Sequence, residues 1–198
     1  MQVVSIRKID KKKSEIELDD GEKFYLYNGE VKRLSLCEDY ELSQKIYSEI
    51  MLILKKRCKE RALYIIERRD KTKFELRKKL IESGYPDSII DLTIEFLEKY
   101  DYLNDLRYGI SYVKSNMHSK SIRQMEYQLR AKGLDRDTIN NIFNDINIES
   151  REVIRKVLVS RRFDFENASY EEKNKQLKYL LSKGFNYDDI IDVVRKGS

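Results

Sequence analysis

The chain has 198 residues, 40% of them hydrophobic and 38% charged, with a net charge of +5, one proline and seven glycines. That length holds one domain or a short series of small ones, and so low an apolar fraction favours thin helical layers over one deep core. The positive balance mildly favours an acidic partner such as nucleic acid. Cys37, Cys58 and the lone His118 share no ligand spacing, so no zinc site is expected. Two scattered thiols fit a reducing cytoplasm. The first ten residues lack the apolar core of a secretion signal. The longest aliphatic run, Ile50 to Leu54, is far too short to span a bilayer. A soluble, cytoplasmic protein is expected.

Glu15 to Leu18 alternates polar and apolar, Asp19-Asp20-Gly21 supplies turn chemistry, and Lys23 to Tyr27 alternates again. That is a hairpin pattern, to which Val3 to Ile9 adds a third strand. Residues 1–38 are therefore expected to form a small β unit. From about Asp39 the period changes to that of a helix, with Leu42, Ile46, Ile50 and Ile53 on one face. This linking helix, 39–56, either runs on through Lys55-Lys56-Arg57 or breaks there; the pattern leaves both open.

A repeat follows. Leu80 and Gly84 are echoed by Leu129 and Gly133 and again by Leu180 and Gly184, with the glycines 49 and 51 residues apart. Apolar residues keep step behind them: Ile90 and Ile94, Ile139 and Phe143, Ile190 and Val194. Each glycine stands where one helix ends and another begins, a place that calls for positive φ. Helix starts follow at Pro86-Asp87, at Asp135, and at Asn186 or Asp188. A further helix heads each copy, near 57–67, 104–117 and 150–162. A period of about 50 residues made of helical units means stacked repeats, none able to bury its face alone. The fold class expected is mainly α: tandem three-helix repeats at 57–100, 101–148 and 149–198 in a curved, elongated stack, with the small N-terminal β unit in front.

Residues 101–113, at the head of the second copy, show how such a helix is specified. Asn104 is a good N-cap and Asp105 suits the helix dipole. Leu106, Ile110, Val113 and Met117 follow at helical spacing and are expected to face the core, with Tyr108 and Tyr112 beside them. Arg107, Ser111 and Lys114 fall on another face.

Catalytic chemistry finds little support. There is no glycine-rich phosphate loop, and His118 has no nucleophile of known motif beside it. Carboxylate pairs such as Asp19-Asp20 and Asp188-Asp189 sit at turns and caps. The chain is read as a non-enzyme without cofactor or metal. Its chemical feature is basic clusters. Arg68, Arg69, Lys71, Arg77 and Lys78 crowd the first copy, and Lys114 and Arg123 lie in the second, whereas Asp91, Glu95, Glu98, Asp188, Asp189 and Asp192 fall on third helices. Segregation of sign by helix points to a surface that faces phosphate or acidic protein.

The order of these motifs resembles the RecX family, regulators of the RecA recombinase. The resemblance runs through Arg69-Asp70; Glu75-Leu76-Arg77 with Leu80 and Gly84; Tyr102-Leu103-Asn104-Asp105 with Arg107-Tyr108 and Tyr112-Val113; Leu129 with Gly133; and Leu177, Leu180-Leu181, Gly184-Phe185, Asp188 and Ile191. It covers residues from about 57 onward and reaches the first 56 more weakly. Lys120-Ser121 stands where family members often carry a glycine in a more basic setting.

The resemblance implies a protein without an active site that binds in the groove of a RecA filament on single-stranded DNA and, in most members, inhibits the recombinase. It also implies that Arg69, Arg77, Arg107 and Tyr108 are contact candidates. Added to Arg68, Lys71, Lys78, Lys114 and Arg123, they make the candidate filament or DNA contacts. A monomer with weak, sequence-independent DNA binding and no membrane is expected. The competing reading is a helical DNA-binding transcriptional regulator, but the second helices offer mostly Lys and Glu, which suit phosphate or protein rather than base readout.

Overall fold

A computed structural model describes residues 1–196, with side chains through Val194. Three strands, β1 (Val3–Lys8), β2 (Lys13–Leu18) and β3 (Lys23–Tyr27), form an antiparallel sheet in the order β1-β2-β3. The register pairs Ile16 with Phe24 and Ser14 with Leu26. The expected alternation holds: Ser14, Ile16, Leu18, Phe24 and Leu26 are buried, while their neighbours are not. Gly21 turns the β2–β3 hairpin at φ +86°.

Two features of this region went unforeseen in the sequence. A short helix, α1 (Asn28–Arg33), follows β3 directly. The long helix also starts later than Asp39. Residues 39–41 line the sheet edge instead: Val3 N–H donates to the Tyr40 carbonyl and Asp39 N–H to the Val3 carbonyl, and Gln2 bridges Glu41. The helix begins once Ser43 can cap it, its Oγ accepting the Ile46 N–H at 3.3 Å. From there α2 (Gln44–Arg68) runs 25 residues without a break. The linking helix and the head helix of the first repeat are one element. Ile50, Leu54, Cys58, Ala62 and Ile65 form its buried stripe.

The remaining helices are α3 (Lys73–Glu82), α4 (Asp87–Lys99), α5 (Asp105–Asn116), α6 (Ile122–Ala131), α7 (Arg136–Asp145), α8 (Ser150–Ser160), α9 (Tyr170–Ser182) and α10 (Tyr187–Lys196). They make three three-helix groups: α2-α3-α4, α5-α6-α7 and α8-α9-α10. The second helix of each group is capped by a small hydroxyl residue, Thr72, Ser121 and Ser169, whose side chain accepts an N–H from the first turn. The chain forms two compact units, Met1–Asn104 and Asp105–Ser198. In the first, Phe24, Leu26 and Ile16 of the sheet share one core with α2, α3 and α4. In the second, the core of α5-α6-α7 and that of α8-α9-α10 both pack against Ile148.

One turn recurs at each of the three glycines. Gly84, Gly133 and Gly184 have φ of +79°, +86° and +82°. The glycine N–H donates to the residue three before it. The next residue's N–H reaches back to the leucine of the motif: Tyr85 to Leu80, Leu134 to Leu129, Phe185 to Leu180, at 3.2–3.3 Å. This double bond pattern is the Schellman motif, and it satisfies carbonyls that a helix end leaves open. Gly84 is doubly constrained, because a Cβ there would lie inside the ring of Tyr25, whose N–H donates to the Gly84 carbonyl at 3.0 Å.

The same motif closes three further helices on ordinary residues. Ser35, Asp101 and Arg162 sit at φ of 51°, 55° and 57°. The bonds Leu36 to Val31, Tyr102 to Leu97 and Phe163 to Leu158 repeat the pattern. The head of the second group differs from expectation in one respect. Leu106 is exposed, and Gly109 with Val113 is buried instead. A Cβ at Gly109 would clash with the Ile142 side chain, so α5 presents its glycine to α7, and Leu106 is rotated off the core.

Gly133→Val should lower stability by at least about 1 kcal/mol, since a β-branched residue is forced into the left-handed region. Arg162→Gly should raise it by up to about 1 kcal/mol for the reverse reason. Thermal melts resolve both, at about 2–4 °C per kcal/mol for a chain of this size. An unchanged melting temperature in the first variant contradicts the left-handed assignment.

Tyr85, next to the first glycine, gives a pH test. Burial pushes its phenol up to about 12, against about 10 in an unfolded chain. The folded value is the higher one, so this contribution is complete below about pH 10 and declines as pH rises toward 12. Tyr85→Phe should therefore close the gap to wild type, or overtake it, as melts are moved from pH 9 toward about 12. A difference in melting temperature that stays constant over that range would show that the phenol is not buried.

Candidate docking surface

The cations of the first group divide into two kinds. α3 opens on a capping box between Thr72 and Glu75 and turns Leu76 and Leu80 inward, so Arg77, Lys78 and Lys79 fall on its polar sides. Arg77 is half-buried against α4. It donates to Asp87 at 2.8 Å and also pairs with Asp91, and the hydrogen bond it donates to Asp91 holds its pKa above the ordinary arginine value. Lys73 meets Glu98 at 2.7 Å. In the third group Arg151 reaches Asp189 at 3.2 Å and Asp192 at 2.7 Å. Asp87, Asp91 and Glu98 of α4 and Asp189 and Asp192 of α10 therefore match cations inside their own groups. Such half-exposed pairs contribute about 1 kcal/mol or less each, but they fix where the guanidinium groups point.

Other cations lie on tyrosine or phenylalanine rings. Lys59 stands 3.8 Å from the Phe96 centroid and Arg161 3.7 Å from that of Tyr179. Arg68, the last residue of α2, is 5.1 Å from the Tyr64 ring. Arg69 is the extended C-cap residue of α2 and is exposed, as is Lys78 on α3; Lys71 is half-exposed between the two helices. The α2–α3 junction thus collects Arg68, Arg69 and Lys71, with Lys78 on the next turns.

In the second unit Arg107 and Lys114 are exposed on α5, two turns apart on one side. Tyr108 is half-buried in the α5-α6-α7 core, with Lys132 Nζ 5.5 Å from its ring. Arg123 is exposed on α6 and flanks the third glycine turn, its Cβ 3.2 Å from where a Cβ of residue 184 would stand. There the Ser121 Oγ donates to the Lys183 carbonyl at 2.7 Å.

Sequence reasoning did not find a groove in the first unit. A groove of about 640 Å³ is lined by Lys13, Tyr27, Arg57, Glu60, Arg61, Tyr64, Ser83 and Tyr85. Arg57 holds its walls together, donating to Glu30 at 3.0 Å and to the Tyr25 carbonyl at 2.9 Å. Its guanidinium also lies 4.7 Å from the Tyr27 ring. The only signal in the sequence was the spacing of Arg57, Arg61, Tyr64 and Arg68, which shares one side of a helix. Lys13, Tyr27 and Tyr85 reach it only through the tertiary fold.

Comparison with known proteins places this architecture. Residues 58–97 match the first three-helix domain of RecX, and residues 149–194 match its third three-helix domain. A regulatory protein RecX of Clostridium perfringens (strain SM101) is 30% identical over 175 residues, covering 86% of this chain and 81% of its own. One from Clostridium botulinum (strain Eklund 17B) is 28% identical over 202 residues, covering 98% and 93%. A crystal structure of regulatory protein RecX superposes with a TM-score of 0.65 at 20% identity over 98% of both chains. That of RecX from Lactobacillus salivarius gives 0.62 at 24% identity over 73% of this chain and 97% of its own. These two share the fold, mainly helical with tandem three-helix groups. The order of motifs, the three glycine turns and the identity to the curated relatives agree, and the chain belongs to the RecX family.

Proposed function

We propose that this protein docks on filaments of a RecA-type recombinase on single-stranded DNA and lowers their activity. The family supports a regulatory role. The observation that carries the docking reading is the set of cations at the α2–α3 junction, Arg68, Arg69, Lys71 and Lys78, for which no ion pair to an acid of this chain is found among the described residues. A filament offers such groups both acidic protein surface and phosphate. Arg107, Lys114 and Arg123 are secondary contacts in this reading. Tyr108 and Arg77 act from inside their groups, Arg77 by holding α3 against α4 beside Lys78. No helix among the described residues is long and apolar enough to cross a membrane.

DNA-stimulated ATP hydrolysis by the cognate recombinase is the direct assay. Wild-type protein should reduce it. Arg69→Glu with Lys78→Glu should restore most of the hydrolysis while leaving helix content unchanged, because exposed charges contribute little to folding. Arg77 is the wrong residue for this test, since a glutamate there would face Asp87 and Asp91. Asp188→Lys, an exposed acid on α10, should leave the inhibition intact. Equal inhibition by wild type and the double variant would move the docking surface off this junction. No effect of wild type on hydrolysis would remove the inhibitory reading.

A further inference from the structure

The groove between the hairpin and α2 has a composition that the docking cations do not share. It combines three cations with three tyrosines. Tyr27 and Tyr64 are 42% and 46% exposed, so each leaves ring surface open to the groove. Their faces are flanked by positive groups: Lys13 at 5.7 Å and Arg57 at 4.7 Å from Tyr27, Arg61 at 5.7 Å and Arg68 at 5.1 Å from Tyr64. Glu60 is the single acid of the lining. The Arg57 charge is already matched by Glu30, so the groove's free positive charge rests on Lys13 and Arg61, extended by Arg68. The Arg57 Nε is buried without a protein partner.

The walls are fixed. Arg57 ties α2 to β3 and to α1, and the backbone bond from Tyr25 to Gly84 ties β3 to the turn that carries Ser83 and Tyr85. A preformed groove with exposed rings costs little ordering on binding. Its volume falls in the range of about 300–1,000 Å³ that takes a small organic group.

We infer that this groove is a binding site for single-stranded nucleic acid, in which a base stacks on Tyr64 or Tyr27 and the adjoining phosphates lie against Arg61, Lys13 and Arg68. Exposed aromatic faces beside cations are the chemistry that holds unstacked bases without sequence preference. A duplex keeps its base faces inside the stack and has nothing to offer the rings. An acidic peptide would use the cations but not the ring faces. The site belongs to the N-terminal β unit and the first group alone, and it stands or falls independently of any effect on a recombinase.

The test uses the full chain and no recombinase. Binding of a fluorescein-labelled oligothymidylate is followed by anisotropy for wild type, Tyr64→Ala, Tyr64→Phe and Arg61→Ala. A same-length duplex and polyglutamate serve as competitors. Each substituted side chain is exposed, so the fold is retained, which circular dichroism verifies. Tyr64→Ala should weaken single-strand binding about fivefold or more, the effect of one lost stacking platform, and Tyr64→Phe should bind as wild type. Arg61→Ala should reduce the slope of log affinity against log salt by roughly 0.7. The proposal is overturned if Tyr64→Ala and Arg61→Ala bind like wild type, if Tyr64→Phe loses as much as Tyr64→Ala, or if polyglutamate or the duplex displaces the oligothymidylate as well as unlabelled single strand does.

Discussion

The architecture depends on how a helix end disposes of its carbonyls. At Leu80, Leu129 and Leu180 the carbonyl receives the N–H of a residue five positions on, which is possible only if the intervening residue turns left-handed. That single bond reverses the chain within two residues. It brings Tyr85, Leu134 or Phe185 back toward the leucine and launches the third helix so that its apolar stripe meets the other two. Tyr85 joins the core of the first unit, while Leu134 and Phe185 are themselves buried in theirs.

The glycine turns were legible because a residue without a Cβ is the economical solution to positive φ, and its spacing survives in the sequence. The equivalent turns at Ser35, Asp101 and Arg162 were not, because these residues adopt that conformation only when the surrounding fold imposes it. The hairpin and its inward residues could be read from alternation. The start of α2 could not, since residues 39–41 are drawn to the sheet edge by backbone bonds to Val3 that no local pattern announces. Leu106 fitted the helical stripe by spacing, yet the small Gly109 decides which side of α5 approaches Ile142.

The candidate site was legible in the same uneven way. Basic residues and their segregation from the acids of the third helices are visible by inspection. Which cations are matched is a matter of geometry: Arg77, Lys73 and Arg151 meet acids of their own groups, whereas no ion pair of Arg69 or Lys78 is found among the described residues. The groove on the N-terminal side joins residues as distant in sequence as Lys13 and Tyr85, and only the packing of the sheet on the first group brings them together. The β unit thus has a chemical identity of its own beside its share in the core.

The central claim is that unmatched cations at the α2–α3 junction meet the filament while the acid-bearing third helices stay clear of it. Amide hydrogen exchange, followed residue by residue on the protein alone and mixed with recombinase filaments on single-stranded DNA, addresses this most directly. The account predicts new protection across residues 68–79 on mixing, with α10 unchanged. Protection that appears on α4 or α10 while residues 68–79 exchange as in the free protein would contradict it.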